Sequence, residues 1–377
     1  MVAQSFSDLA SGITKVFSGN SIAVGVDVGT KSVKAVVLEK ENGKIVLKNY
    51  SIARVKKPLI ELGQTGVIND FSGGVVKGAL EGAGIKRKKV NVAIPSFTSL
   101  IITIEIPHIS DKEFEQAVRR EVSKYIPVKI DDVVYDWQII DEASLRDDNT
   151  ADNKHLSSGS AQSRPMVKIL VIAVMKEISG KYNQIFSAND LEINLLEIDS
   201  ISLTRSLTRG KEGVYLILDI GHETSNIVVS SQDGILMNRT ISIGGDKMTQ
   251  VIADSMKVSF ERAEQIKKTH GVNVSVSGQQ GGVLSTVLSM LTDEMKKTVE
   301  LFQADFKGIE VKGVLLAGGS ATMIGLRDLI QAQTGLETFI GNALEGITFN
   351  AEIKNVLLKH ASLLSIAIGL ALANFEE

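Results

Sequence analysis

Two stretches decide the fold: Val24-Gly25-Val26-Asp27-Val28-Gly29-Thr30-Lys31-Ser32 and Leu218-Asp219-Ile220-Gly221-His222-Glu223-Thr224-Ser225-Asn226. Each is an apolar run that ends in Asp-x-Gly, meets Ser or Thr within a few residues and enters another apolar run. The first continues through Val33–Glu39, an Asn42-Gly43 turn and Lys44–Lys48. The second continues through Ile227–Ser230, an Asp233-Gly234 turn and Ile235–Asn238. Both read as consecutive β-hairpins. Asp27 and Asp219 are too far apart for a solenoid repeat, and the duplication fits two related domains.

A tight strand-to-strand turn with Gly lets backbone N–H groups approach a phosphate, and a hydroxyl side chain adds a donor. A carboxylate at the strand end repels phosphate and suits a hydrated Mg²⁺ that bridges carboxylate and phosphate oxygens. One Asp-x-Gly is equally an ordinary hairpin turn; two copies facing a cleft point to a site. A third element supports it: Val311–Ala317 reads as a buried strand, Gly318-Gly319-Ser320 as a sharp turn and Met323–Gln333 as a helix. By itself this is any α/β connection.

In this order the three elements resemble the phosphate-1, phosphate-2 and adenosine motifs of the actin, heat-shock chaperone and sugar-kinase superfamily. Glu264 and Lys267, on the helical run Phe260–Thr269, are similar to that superfamily's Glu-x-x-Lys pair beside the adenosine. The same spacing suits an i,i+3 surface ion pair.

The chain has 377 residues, too many for one ordinary core and suited to two α/β lobes. With 44% hydrophobic and 23% charged residues it reads as soluble and globular. A net charge of −3 gives no basic signature for nucleic acid. The absence of cysteine excludes disulfides and thiolate metal sites and fits a reducing cytoplasm. The five histidines are scattered, with no metal-ligand spacing. No signal peptide or membrane span is expected; the apolar run Ala361–Ala373 is shorter than a bilayer crossing and reads as a buried helix. Phe6, Leu9, Ile13, Val16 and Phe17 have helical spacing, so residues 1–20 are expected to hold a short amphipathic segment that packs on its own domain or touches a membrane or partner.

Residues 21–98 read as the first-lobe core, continued by about 186–210 and part of the C-terminal helix. Residues 99–185 read as an inserted subdomain, with the strands Leu100–Ile106, Val133–Ile140 and Val167–Val174 and the helix Asp111–Tyr125. Its stretch 141–165, rich in Asp, Asn, Ser and Gly, is expected to be a mobile loop. Residues 211–250 and 311–377 read as the second-lobe core, and 251–310 as its helical subdomain. The strand Leu100–Ile106 alternates Ile102, Ile104 and Ile106 with Thr103 and Glu105, which leaves one face for packing.

A more specific resemblance rests on Phe114 to Val128, which contains Ala117, Glu121 and Tyr125-Ile126-Pro127, followed by Asp131-Asp132-Val133-Val134-Tyr135-Asp136, and on Glu197-Ile198-Asp199 with Arg205. These are similar to the PilM family of type IV pilus assembly proteins, over nearly the whole chain. The resemblance implies an actin-like ATPase fold: α/β, two related lobes around a nucleotide cleft, with an inserted subdomain of the type shared with the cell-division protein FtsA. It implies a cytoplasmic ATP-binding protein at the inner face of the inner membrane, docking the N-terminal tail of a PilN-type inner-membrane protein, with other assembly proteins and a homo-oligomer as further expected partners. FtsA ends in a separated amphipathic helix, whereas this chain ends at Asn374-Phe375-Glu376-Glu377 after the apolar run, which favours PilM over FtsA. A sugar-kinase-type phosphotransferase is the reading from another class.

On that resemblance Asp27 and Asp219 hold Mg²⁺ through water. Gly29, Thr30, Lys31, Ser32, Gly221, Glu223, Thr224 and Ser225 surround the phosphates of ATP, and Gly318, Gly319, Ser320, Glu264 and Lys267 surround the adenosine. Asp199 takes the place of an acidic residue that orients attacking water, which leaves a slow ATPase and a non-hydrolysing scaffold both open.

Overall fold

The computed structural model describes residues 21–60, 68–107, 109–140, 166–275 and 282–375. The expected amphipathic N-terminal segment and the polar stretch 141–165 lie outside the described residues. The Asp27 hairpins form β1 (Ile22–Val28), β2 (Ser32–Glu41) and β3 (Lys44–Arg54), an antiparallel meander. Asn42 and Gly43 close the second turn, both at positive φ, which a two-residue hairpin turn of this hand requires. α1 (Ser72–Gly82) then leads to β4 (Lys89–Ile94), parallel to β1.

The chain leaves this sheet through β5 (Ser99–Pro107), α2 (Asp111–Val122), β6 (Val133–Ile139), β7 (Met166–Met175) and α3 (Lys176–Ser187). It returns as β8 (Glu192–Ile198), parallel to β4, followed by α4 (Asp199–Thr208). The second half repeats the meander with β9 (Val214–Ile220), β10 (Ser225–Ser231) and β11 (Gly234–Ile241). After α5 (Gly245–Met256), α6 (Phe260–His270) and α7 (Ser285–Asp305) comes β12 (Val311–Gly318), parallel to β9. α8 (Leu326–Thr334) connects it to β13 (Thr338–Ile340), parallel to β12. β14 (Ile347–Thr348), α9 (Lys354–His360) and α10 (Ser365–Leu372) complete the fold.

The two main sheets have the same order. One runs β14-β3-β2-β1-β4-β8 and the other β11-β10-β9-β12-β13, so five strands correspond one to one; β5-β7-β6 form a third, separate sheet. In both halves the parallel strands end toward one cleft, the place where open α/β sheets bind ligands. α10 is apolar on all sides and buried, as its sequence predicts. It packs so closely on β1 that a Cβ at Gly25 would overlap Ala367 O and sit 2.7 Å from Ala371 N. Beside it, Arg205 of α4 makes a bidentate pair with Glu197 of β8 (2.5 and 3.0 Å) and donates to Gly369 O at 3.1 Å. Among the described residues no single helix is long and apolar enough to cross a membrane; α9 and α10 pass only jointly, across a 114° bend, and α10 lies in the core.

Four expectations change. α8 begins at Leu326 rather than Met323, because Gly325 takes φ +78° and caps it. α2 ends at Val122, and Tyr125 is half exposed instead of sharing its apolar face; Pro127 disfavours helical backbone at Ile126. The alternating face of β5 is already covered, since Ile104 and Ile106 form a small core with Phe114, Val118 and Val122 of α2 and Ile169 and Val171 of β7. α3 was not anticipated, although Ile178, Tyr182, Ile185 and Phe186 carry the helical spacing that buries it.

The Glu197–Arg205 pair gives a stability test. Glu197→Ala leaves a largely buried guanidinium without its carboxylate, an expected loss of about 3–5 kcal/mol. Lys48→Ala, at an exposed pair, is expected to leave the urea midpoint essentially unchanged, because solvent screens the pair. Urea unfolding at pH 7 compares them.

Candidate functional site

Asp27 at the end of β1, Asp199 just after β8 and Asp219 at the end of β9 line one cleft of about 400 Å³. Three carboxylates in a buried space repel one another. Burial, then the charges of Asp199 and Asp27, push the Asp219 carboxyl up to about 7. Burial is also the main cause raising Asp199 to about 6, partly offset by its hydrogen bonds from Ser96. Asp27 and Lys34 face each other in the β1–β2 register, and Lys34 Nζ donates to Asp27 Oδ2 at 2.9 Å. In the second hairpin the equivalent partner of Asp219 is Asn226. Its Nδ2 donates to Asp199 Oδ2 at 3.2 Å, while Asp199 Oδ1 accepts from Ser96 N at 3.1 Å and from Ser96 Oγ. Asp199 is therefore held in one orientation by Ser96, before β5, and Asn226 of β10.

The turns around these carboxylates are tightly drawn. Gly29 N donates to Ser32 O at 2.9 Å, and Gly221 N to Thr224 O at 3.0 Å. Gly221 O accepts from Gly245 N at 3.0 Å, which draws the N-terminus of α5 to the second turn. A third element closes in at β12: Gly318, at φ +84°, lies where a Cβ would overlap Asp219 Oδ1 and Ile220 O. Only glycine allows β12 to end this close to Asp219.

Most of the expected site residues meet here. Gly29, Thr30, Lys31 and Ser32 line the cleft with Gly221 and Thr224, and Glu264, Lys267, Gly318, Gly319 and Ser320 line it with the three aspartates. Glu223 and Ser225 are not among the lining residues. Ser225 Oγ donates instead to Ile243 O, and Glu223 sits beside His222 and Asp246. Lys267 is no surface ion-pair partner: it is buried, and Nζ reaches Gly245 O (2.8 Å), Thr249 Oγ1 (2.7 Å) and Glu264 Oε2 (2.7 Å). It ties α6 to the start of α5, so its ammonium is committed inside the protein. Glu264 is also bonded by Thr249 Oγ1 at 2.7 Å and Lys268 at 3.1 Å.

Sequence reasoning missed Lys34, Ser96, Asn226, His222 and Asp246. Lys34 and Asn226 were open to discovery, because pairing each hairpin places them opposite its aspartate. Gly244-Gly245 before Asp246 marked a helix start in the sequence. The scattered-histidine reading is corrected at one place: His222, Glu223 and Asp246 bring ligand atoms within 4.8 Å of one another. His222 Nε2 is 2.7 Å from Asp246 Oδ2, and the Lys31 ammonium is 3.2 Å from the same oxygen. Burial, with Lys31 and Lys267 acting in the same direction, holds the His222 imidazole below its ordinary value.

The family model for Type IV pilus assembly protein PilM matches residues 25–375. The chain belongs to this family. A chain from the PilM-PilN type IV pilus biogenesis complex is similar to it with a TM-score of 0.77 and 23% identity, covering 94% of this chain and 99% of that one. Cell division protein FtsA of Streptococcus pneumoniae is 22% identical over 360 residues (83% of this chain, 73% of the relative), and that of Enterococcus faecalis 25% over 349 residues (82% and 76%). The fold is actin-like, and the protein is a PilM-type protein of type IV pilus assembly.

The raised carboxyls set a pH dependence. In the unfolded chain these groups have pKa values near 3.8; folded, Asp199 and Asp219 hold protons up to about pH 6 and 7. Between about pH 4 and 7 the folded state binds more protons, so in chelator the contribution of these groups to stability falls as pH rises. Asp219→Asn removes the larger part and is expected to raise the melting temperature most at pH 8, less at pH 5 and little below pH 4. Thermal scans in EDTA read this, and no gain at pH 8 would contradict the assigned burial effect.

Proposed function

We propose that this PilM-type protein binds ATP with Mg²⁺ in the cleft and docks the cytoplasmic tail of a PilN-type inner-membrane protein. This would place it in the cytoplasm at the inner face of that membrane. The observation that carries the nucleotide half is the convergence of Asp27, Asp199 and Asp219 with the turns at Gly29, Gly221 and Gly318 in one cleft. The donor set fits a hard cation: carboxylates from both halves, whose charge the protein itself leaves under-compensated. Bound Mg²⁺ would neutralise phosphate oxygens. Asp27 and Asp219 would hold it through water, and backbone N–H groups with Thr30, Ser32 and Thr224 would meet the phosphates. Lys34 supplies a fixed positive charge beside Asp27, so part of the phosphate affinity is expected to survive without metal. Gly318, Gly319 and Ser320 leave room for a flat base, with Glu264 at its edge.

Asp199 is oriented by Ser96 and Asn226, and its raised pKa suits a group that positions water. Comparing steady-state turnover of wild type and Asp199→Ala separates a slow ATPase from an ATP-dependent scaffold. For binding, Asp27→Ala is expected to weaken ATP by at least the roughly 1–3 kcal/mol of a lost charged partner. Calorimetry showing equal affinity for wild type and mutant, in magnesium and in chelator, defeats the nucleotide reading.

We assign residues 99–185 the role of an inserted docking subdomain. Because α2 covers the apolar face of β5, the support for a tail site comes from the strand's edge. β5 and β11 are each end strands of their sheets, linked where Thr103 Oγ1 donates to Leu236 O at 3.4 Å. Beyond that link a groove of about 510 Å³ opens between Ser99, Leu100 and Ile101 on one side and Asn238, Thr240 and Ser242 on the other. An extended tail would gain main-chain pairing from an open edge. Thr240→Trp, which fills the groove, is expected to cut affinity for the neighbouring membrane protein's tail peptide at least tenfold in fluorescence anisotropy, with melting temperature unchanged. Equal tail binding places the docking site elsewhere.

A further inference from the structure

The ion pair between Lys31 and Asp246 crosses the cleft. Lys31 lies in the turn between β1 and β2, with its carbonyl fixed by Val55 N at 3.1 Å. Asp246 lies in the first turn of α5, beside the β9–β10 turn of the other half. Both side chains are partly exposed, at 29% and 24%, and line the space where phosphates would enter.

The two partners have opposite relations to an incoming anion. Lys31 is a flexible cation in a turn whose backbone already suits phosphate. Asp246 is an anion in a place that suits phosphate, and it is the fixed member: its backbone N donates to His222 O at 2.8 Å, its carboxylate meets His222 Nε2 at 2.7 Å, and Lys267 holds the adjacent Gly245 O. Lys31 cannot serve Asp246 and a phosphate fully at once. Its ammonium contacts one member of the His222, Glu223 and Asp246 cluster, Asp246 Oδ2, at 3.2 Å.

We propose that Lys31–Asp246 is a clasp between the two halves which an incoming polyphosphate must open, so that Asp246 limits the phosphate affinity of the cleft. The clasp rests on the nucleotide reading of the cleft and adds a positioning residue from the opposite lobe. With the pair closed, Asp246 neutralises Lys31 and draws the first hairpin turn toward α5. When phosphate takes Lys31, Asp246 loses that pair, and the free energy of the broken pair is subtracted from binding. The effect is greatest for the polyphosphate moiety and indifferent to the base.

The test is a double-mutant cycle read by calorimetry with inorganic tripolyphosphate and with Mg-ATP, on wild type, Asp246→Asn, Lys31→Met and the double variant. Asn keeps the size of Asp and removes its charge. Asp246→Asn is expected to tighten tripolyphosphate about tenfold, within the range usual for coupled sites, and to change it less than about twofold when Lys31 is already Met. An equal gain in both backgrounds overturns the clasp in favour of simple repulsion, and weaker binding overturns it in favour of Asp246 as a direct ligand. Small-angle scattering of the nucleotide-free proteins supplies a readout independent of binding. Each single variant is expected to widen the separation of the halves, and the double variant no further; unchanged scattering in all three overturns the cross-cleft role. Wild type that binds neither ATP nor tripolyphosphate overturns the nucleotide reading and the phosphate role of the clasp together. ATP binding that is intact and unmoved by Asp246→Asn overturns the clasp alone.

Discussion

Everything near the cleft answers one electrostatic constraint: Asp27, Asp199 and Asp219 converge in one cleft, Asp27 and Asp219 buried and Asp199 partly so. Like charges in a low-dielectric space are costly unless neutralised, protonated or bonded. The protein uses all three routes, with Lys34 on Asp27, raised carboxyl pKa values at Asp199 and Asp219, and donors from Ser96 and Asn226 on Asp199. The geometry that permits it comes from the paired sheets, whose parallel strands end in one place, and from Gly318, which removes the side chain that would strike Asp219. A group kept under such strain without external compensation marks a site built for a cation or for charge chemistry.

The halves share a strand order and differ in what they add to it. Opposite its aspartate the first hairpin places a lysine and the second an asparagine, so one lobe carries an internal cation and the other a hydrogen-bond relay to Asp199. Between the last two parallel strands the second half has only α8, whereas the first half has a whole sheet and two helices, of which α2 builds a small core with β5 and β7 while α3 packs into the main core. The small core lets α2 and the outer face of β5 and β7 pack among themselves, while Leu170, Ile172 and Val174 of β7 and the buried face of α3 join the main core. Among the described residues the insertion also leaves β5 as an end strand of its sheet, beside β11. Ser96 connects the two regions, since it bonds Asp199 and lines the groove along β5.

Family membership rests on nearly the full chain, and the FtsA relatives match 82 to 83% of it at 22 to 25% identity. The run of residues that carries the family signature has mixed physical roles. Val118 and Val122 build the small core, and the buried Glu197–Arg205 pair braces α4 against α10. Tyr125, by contrast, points half its surface to solvent, a position with no packing role of comparable weight.

The sequence by itself determined the duplicated hairpins, the strand ends at Asp27 and Asp219, the glycine turn at Gly318 and the buried C-terminal helix, because each is written in local alternation, turn residues or unbroken apolarity over a short span. It also carried the family signature. The partners of the charges were decided only by tertiary structure. Lys34 lies on Asp27 through strand register, Asn226 and Ser96 reach Asp199 from different elements, and Lys31 meets Asp246 from 215 positions away in the chain. Lys267 illustrates the same limit: its i,i+3 spacing to Glu264 was legible, but its burial against Gly245 was not. Local pattern specifies backbone conformation, whereas the energy of a buried charge depends on which distant groups and how much water surround it. Those are set only when the two sheets close on each other.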